Sequence, residues 1–304
     1  MLLPLAAVAQ NETLISNNDS IPSVLERLIT ERVSQQHSQH SQYQSHMNLE
    51  FYTSSNAYFT ENTFDELKDK TIEQSKYMQE RIADIINKEI ENNEIAGANL
   101  MVIHKGEEIF FDCFGYADKE KKTPIKRDTI FRLFSMTKPI TAVATMILVE
   151  RGIIDVRDAV SKYIPAFANQ KVITPQGLVP ANRDITIWDC LNMTTGIPYP
   201  DIYCESGRQM DKLFQELKGR QAKGERPTTM DYVNRIAEIP LEFQPGERWM
   251  YGLSADILGA VIEVVSGKKY SKFLQEEIFT PLGMKDTGFY APADKEWRFA
   301  TNYD

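Results

Sequence analysis

Apolar and polar residues divide the chain into a polar N-terminal stretch, a helical segment, two strand-like runs and a long, mostly helical region. Residues 11–62 are rich in Ser, Gln, Asn and His. Such a composition buries little apolar surface, so we expect residues 1–62 to form a disordered extension. Between residues 64 and 95, apolar side chains recur at helical spacing with charges between them, which predicts an amphipathic helix. The folded domain is therefore expected over residues 63–304.

Two strand-like runs, residues 98–104 and 108–116, flank Lys105-Gly106-Glu107 and predict a β-hairpin. Residues 140–150 follow later, are apolar on nearly every side and end near Gly152, a residue type that commonly ends helices. A helix without a polar face is normally buried, so we expect this helix to be central. Further helices are predicted over residues 254–265 and from about residue 269 to 279.

The composition limits the classes of partner. The 304 residues carry a formal net charge of -9, which argues against nucleic acid or an anionic membrane as the main partner. No stretch approaches the ~20 apolar residues that a membrane helix needs. Residues 1–10 resemble the end of a secretory signal without its basic segment. We favour a cytoplasmic location over export, which would require residues 1–10 to be a signal remnant; the oligomeric state stays open.

The metal-ligand residue types do not form a metal site in the sequence. Three of the four histidines lie in the polar extension, with no carboxylate or cysteine at ligand spacing around them. The three cysteines are widely spaced and include no Cys-x-x-Cys pair, so neither a zinc site nor a disulfide framework is predicted. These cysteines are Cys113, Cys190 and Cys204.

The candidate chemistry centres on Ser135. A serine hydroxyl needs a neighbouring base, yet the one histidine outside the extension, His104, lies in a predicted strand, and the chain has no Gly-x-Ser-x-Gly motif. Lys138 lies three residues after Ser135 at a predicted helix start, so the two side chains share one face. The helix N-terminus suits an oxyanion, and burial would lower the pKa of the lysine. The alternative is a capping serine followed by an exposed lysine, and these four residues alone favour that alternative.

Five segments, in this order, resemble blocks of the β-lactamase-related serine hydrolases, which include class C β-lactamases, DD-peptidases and family VIII esterases. The segments are residues 131–141, 152–165, 185–197, 245–259 and 281–289. The resemblance implies an α+β, β-lactamase/transpeptidase-like fold, in which an antiparallel sheet is flanked by helices and faces a helical region. It also implies that Ser135 is the nucleophile, Lys138 its base and Tyr251 the group that passes a proton to the leaving group. The alternative for Tyr251 is a core aromatic beside Trp249.

Two departures from the family pattern modify these expectations. Leu253 stands where penicillin-recognising members carry an asparagine, and leucine has no hydrogen-bonding group for a β-lactam side chain. The family's third motif, Lys/His/Trp-x-Gly on a late strand, should follow well after Tyr290, whereas this chain ends at Asp304. We therefore expect an incomplete sheet and a fragment with impaired folding or activity.

The resemblance implies acyl transfer from a small-molecule ester or amide through an acyl-enzyme, with no metal or organic cofactor. We favour a carboxylesterase or transesterase, because the segment around Leu253 resembles that branch. A β-lactamase or a D-Ala-D-Ala peptidase-like enzyme is the second hypothesis. The third is a non-catalytic remnant of the scaffold, prompted by the missing motif.

Overall fold

A computed structural model describes residues 67–104, 106–290 and 292–303. The described chain divides into two compact units. The helical unit runs from Ile130 to Trp297, and the hairpin unit comprises residues 67–129 together with residues 298–303. The extension predicted over residues 1–62 lies outside the described residues. The single domain expected from residue 63 onward stays a prediction.

The hairpin unit contains the predicted helix and the predicted β-hairpin. Its elements are α1 (Leu67–Glu91), β1 (Gly97–His104), β2 (Glu107–Asp118) and β3 (Thr123–Pro124). β1 and β2 pair antiparallel, and the short β3 extends this open sheet in the order β1-β2-β3. The helix and the hairpin are thus confirmed within the described residues.

The helical unit is built around one apolar helix, α6. Its buried residues face several directions, and it packs against α2, α3, α5 and α7. Gly267 ends it in the left-handed conformation with φ 65°, as glycine after a helix commonly does. The elements of the unit are α2 (Thr137–Glu150), β4 (Lys171–Thr174), β5 (Gly177–Pro180), α3 (Ile187–Asn192), α4 (Glu205–Ala222), α5 (Thr229–Ile236), α6 (Ser254–Ser266) and α7 (Tyr270–Leu274).

The helices at residues 254–265 and 269–279 are confirmed; the latter is α7 continued by a π-helical turn over Gln275–Phe279. The expectation that α2 is buried all round is wrong. Ala144 and Leu148 are buried, whereas Val143 and Met146 are about half exposed, at 52% and 46%. A helix that is apolar at nearly every position has no alternation of apolar and polar residues, so its sequence cannot indicate which side packs against the core. The β4–β5 hairpin was not predicted, because each strand has only four residues.

Candidate active site

Ser135 lies in a single 3-10 turn, Phe134–Met136, directly before α2. Its side chain is buried. The preceding Phe134 has φ 42°, a left-handed conformation that costs a non-glycine residue on the order of 1–3 kcal/mol. Such strained residues cluster at functional sites, where the surrounding structure holds them in place. The turn therefore fixes the direction in which the Ser135 side chain leaves the backbone.

Lys138 occupies the first turn of α2 and is only 5% exposed. Its Nζ lies 3.4 Å from Ser135 Oγ and donates to the hydroxyls of Tyr251, at 3.0 Å, and Tyr199, at 2.9 Å. Burial lowers the pKa of Lys138 below its ordinary value, while the nearby Asp256 carboxylate acts in the opposite direction. A lysine of this kind holds a neutral amine at lower pH than an exposed one and can act as a base.

Tyr251 completes a three-way contact, because its hydroxyl shares a hydrogen bond with Ser135 Oγ. Its pKa is raised, first by burial and second by the charge of Asp256. The three residues that the family resemblance singles out thus lie within hydrogen-bonding reach of one another. A proton on the Ser135 hydroxyl can move to Lys138 directly or through the Tyr251 hydroxyl.

Tyr199 is a fourth side chain at the site, and the sequence analysis missed it. Its ring lies 5.3 Å from that of Tyr251, centroid to centroid, and its pKa is raised first by burial, then by Asp256 and Tyr251. The available signal was its position between Pro198 and Pro200, just after a segment that resembles the family.

Asp256 was also missed. It lies in the first turn of α6, where burial raises its pKa and the charge of Lys138 opposes that effect.

Asp189 holds the loops that lead to Tyr251. Its carboxylate is almost fully buried and accepts hydrogen bonds from the Arg183 guanidinium at 2.6 and 2.9 Å, from Thr186 and from the Thr194 hydroxyl. Burial alone raises the pKa of Asp189, but these hydrogen bonds outweigh it and hold the pKa below its usual range. The carbonyl of Thr194 in turn accepts from the amide of Gly246, which precedes Tyr251 by five residues.

Leu253 is buried and is not accessible to a substrate. It is 1% exposed and belongs to the main apolar core of the helical unit, together with Ile257 and Leu258 of α6. Trp249 differs, because 66% of its surface is exposed while its ring lies 6.2 Å from that of Tyr251. An apolar surface is thus open to solvent next to the Ser135–Tyr251 pair.

Among the described residues, no group of three or more His, Cys, Asp or Glu side chains is arranged to hold a metal ion. All three cysteines are free thiols. No helix in the described ranges has both the length and the apolar character needed to cross a membrane.

Comparison with known proteins identifies the family. The beta-lactamase family model matches residues 80–304. Esterase EstB of Burkholderia gladioli is 32% identical over 224 residues, which are 73% of this chain and 54% of EstB. Penicillin-binding protein 4* of Bacillus subtilis (strain 168) is 31% identical over 188 residues, which are 61% of this chain and 36% of that protein. The solved structure of EstCE1, described as a hydrolase with promiscuous acyltransferase activity, matches with a TM-score of 0.65 and 27% identity over 76% of this chain and 57% of EstCE1.

The chain spans about half the length of the first curated relatives it matches. The fold is the β-lactamase/transpeptidase-like fold that the five segments predict, with helices and open antiparallel sheets. Because the family model covers most of the chain and the relatives include an esterase and a penicillin-binding protein, this chain belongs to the beta-lactamase family of serine hydrolases.

Proposed function

We propose that the protein is a carboxylesterase or transesterase that forms an acyl-enzyme at Ser135. The observation that carries the proposal is the three-way contact of Ser135, Lys138 and Tyr251. A serine hydroxyl becomes a nucleophile only when a neighbouring group removes its proton, and a buried lysine with a lowered pKa supplies such a base.

The proposed reaction has two halves. First, neutral Lys138 receives the Ser135 proton as Oγ attacks the ester carbonyl, and the partial positive charge at the N-terminus of α2 stabilises the developing oxyanion. The Tyr251 hydroxyl then passes a proton to the leaving alcohol, which departs as the C–O bond breaks and the acyl-enzyme forms. Second, water or another alcohol attacks the acyl-enzyme with the proton transfers reversed, which gives an acid or a new ester.

Three features favour an ester over a β-lactam or a peptide as substrate. Leu253 has no hydrogen-bonding group, and its side chain belongs to the core. The exposed residues beside the site include the apolar Phe134, Met136 and Trp249, and these suit an uncharged acyl or alcohol group. The similarity to esterase EstB and to EstCE1, a hydrolase with promiscuous acyltransferase activity, supports this choice.

A penicillin-binding-protein-like activity is the second candidate, and the similarity to penicillin-binding protein 4* favours it. A scaffold without catalysis is the third candidate. Hydrolysis of 4-nitrophenyl butyrate compared with that of a chromogenic cephalosporin separates the first two. Neither reaction in a folded chain favours the third.

Intact-mass spectrometry after exposure to a fluorophosphonate tests the nucleophile itself. We expect the mass of one probe adduct on the parent chain and none on Ser135→Ala. An adduct on both chains would mean that another residue is the nucleophile. No adduct on a parent chain with a folded circular dichroism spectrum would contradict the proposal for this chain.

A further inference from the structure

We propose that Tyr199 is a positioning residue for this reaction: its hydroxyl oxygen accepts a hydrogen bond from Lys138 Nζ and so turns the amine lone pair toward Ser135 and Tyr251. The inference rests on the proposed function, since it concerns the proton acceptor of that reaction. It adds a residue that acts through Lys138 and does not itself contact Ser135 in the proposed mechanism.

The hydrogen-bonding capacity of the amine carries the first step. A neutral lysine amine has two N–H donors and one lone pair, and three hydroxyl oxygens surround Nζ at 2.9 Å (Tyr199), 3.0 Å (Tyr251) and 3.4 Å (Ser135). The lone pair can take the serine proton only when it faces the hydrogen-bonded Ser135–Tyr251 pair. An N–H group must then point elsewhere, and the Tyr199 oxygen is the acceptor on that side. This hydrogen bond excludes the one staggered orientation about the Cε–Nζ bond in which the lone pair faces Tyr199, and it leaves the two in which the lone pair faces Ser135 or Tyr251.

The backbone around Tyr199 is restrained independently of the lysine. Proline on either side fixes backbone φ angles and limits the conformations of Tyr199 itself. Pro198 also forms an isolated antiparallel bridge with Gly252, which ties this loop to the residue after Tyr251. The backbone that carries Tyr199 is thus held by contacts that do not involve Lys138.

Packing alone does not account for the hydroxyl. The Tyr199 ring, tilted by 38° against that of Tyr251, would make the same aromatic contact if it were phenylalanine. Burial raises the pKa of Tyr199, so the phenol stays neutral. A polar group in such surroundings needs a partner to offset its lost hydration, and Nζ is a partner at a good distance.

The effect on titration follows from the groups near Nζ. Ser135 from its own segment and Tyr251 and Tyr199 from the two loops have hydroxyl oxygens within 3.4 Å of Nζ, and the charge of Asp256 in α6 also acts on Lys138. An acceptor oxygen stabilises the ammonium form, so removing the Tyr199 oxygen lowers the pKa of Lys138 further. Asp256 is present in every variant compared, so its contribution to the difference cancels.

The test compares Tyr199→Phe with Tyr232→Phe in the 304-residue chain. Tyr232→Phe removes another partly buried tyrosine hydroxyl, whose pKa is raised first by burial and then by the charge of Asp256. The first readout is the pH titration of the Lys138 Nζ resonance in lysine-¹⁵N-labelled protein, assigned with Lys138→Met. The second is the rate of fluorophosphonate labelling of Ser135 across pH, with melting temperature measured alongside.

We expect Tyr199→Phe to move the Nζ titration to lower pH and to slow labelling by on the order of 10²-fold, with melting close to that of the parent. Tyr232→Phe should leave both readouts near the parent values. An unchanged Nζ midpoint in Tyr199→Phe overturns the inference, and so does a labelling loss with an equally marked loss of thermal stability. A parent chain that is never labelled contradicts the proposed function, and the Nζ titration still decides whether Tyr199 holds the amine.

Discussion

Pro198 and Gly252 form an isolated antiparallel bridge that brings Tyr199 and Tyr251, the neighbours of these two residues, to the same lysine. The bridge depends on the absence of a side chain at Gly252. A Cβ atom built there overlaps the carbonyl oxygen of Ile197 and lies 2.9 Å from its carbonyl carbon. Backbone atoms cannot rotate away as the end of a side chain can, so only glycine fits this contact.

Gly252→Ala should therefore destabilise the helical unit and separate the two tyrosines. We expect the free energy of unfolding to fall by about 1–3 kcal/mol, the usual cost of forcing extra atoms into a packed site. The matched control is Gly219→Ala in α4, where an added Cβ meets nothing within 4 Å and should stabilise the helix by about 0.5–1 kcal/mol. Urea denaturation of both variants and fluorophosphonate labelling provide the measurements. A Gly252→Ala chain as stable and as reactive as the parent would show that the loops have room to separate.

Lys138→Met should abolish the reactivity of Ser135 with little change in fold. Methionine fills similar volume but cannot accept a proton, and loss of general-base assistance typically costs about 10²–10⁴-fold in rate. In the parent, labelling should accelerate as the pH rises, because only the neutral amine accepts the serine proton. The midpoint should lie below the ~10.4 of an unperturbed lysine, since burial lowers the pKa of Lys138. A midpoint at or above that value would contradict the proposed base.

The sequence predicts that Ser135 and Lys138 lie close together, because residues three positions apart at a helix start share one face of the helix. The proximity of Tyr251 rests on the family resemblance, since 116 residues separate it from Ser135. The family and the fold class are confirmed, whereas the roles of the three residues stay predictions. Tyr199 could not be predicted from spacing or periodicity, because only the long-range bridge at Pro198 directs its hydroxyl to Nζ.

The exposed side of α2 shows a second limit of the sequence. Residues 140–150 contain so few polar positions that any face of the helix could have been the buried one. Packing against α6 selects the face with Ala144 and Leu148 and leaves Val143 and Met146 exposed. That choice depends on tertiary contacts, which the pattern of a single helix does not encode.

Asp189→Asn should weaken the support behind Tyr251. The charged hydrogen bonds from Arg183 and the acceptor position for Thr194 are lost or weakened, which we expect to cost about 2 kcal/mol. Because hydrogen bonds hold the pKa of Asp189 below its unfolded value, the carboxylate contributes stability at pH values above ~3.9. This contribution is lost as the pH falls through the lower folded-state value, so parent and variant should converge in acid.

Thermal melts of the parent and Asp189→Asn between pH 2 and pH 7 measure this difference. Glu216→Gln is the control, because the exposed Glu216 pairs with Arg235 on the surface, where solvent screens the interaction. The control should melt like the parent at each pH. A constant offset between parent and Asp189→Asn down to pH 2 would mean that packing, and not the charge of Asp189, accounts for the loss.

Trp249→Ala should change substrate preference with little effect on stability. Two thirds of the indole surface is exposed in the described structure, so truncation removes little core packing. The ring lies beside Tyr251, and an aryl or long acyl group bound at Ser135 would cover it and lose hydrated apolar surface. We expect KM for 4-nitrophenyl butyrate to rise about tenfold, the equivalent of roughly 1.4 kcal/mol of apolar contact, with a smaller change for methyl acetate.

Trp188→Ala provides the comparison, since Trp188 is 58% exposed in α3 and makes no aromatic contact with Tyr251 among the described ring pairs. Equal losses for both esters, or an equal effect of Trp188→Ala, would exclude Trp249 as a specificity determinant and leave the choice of substrate to other parts of the site.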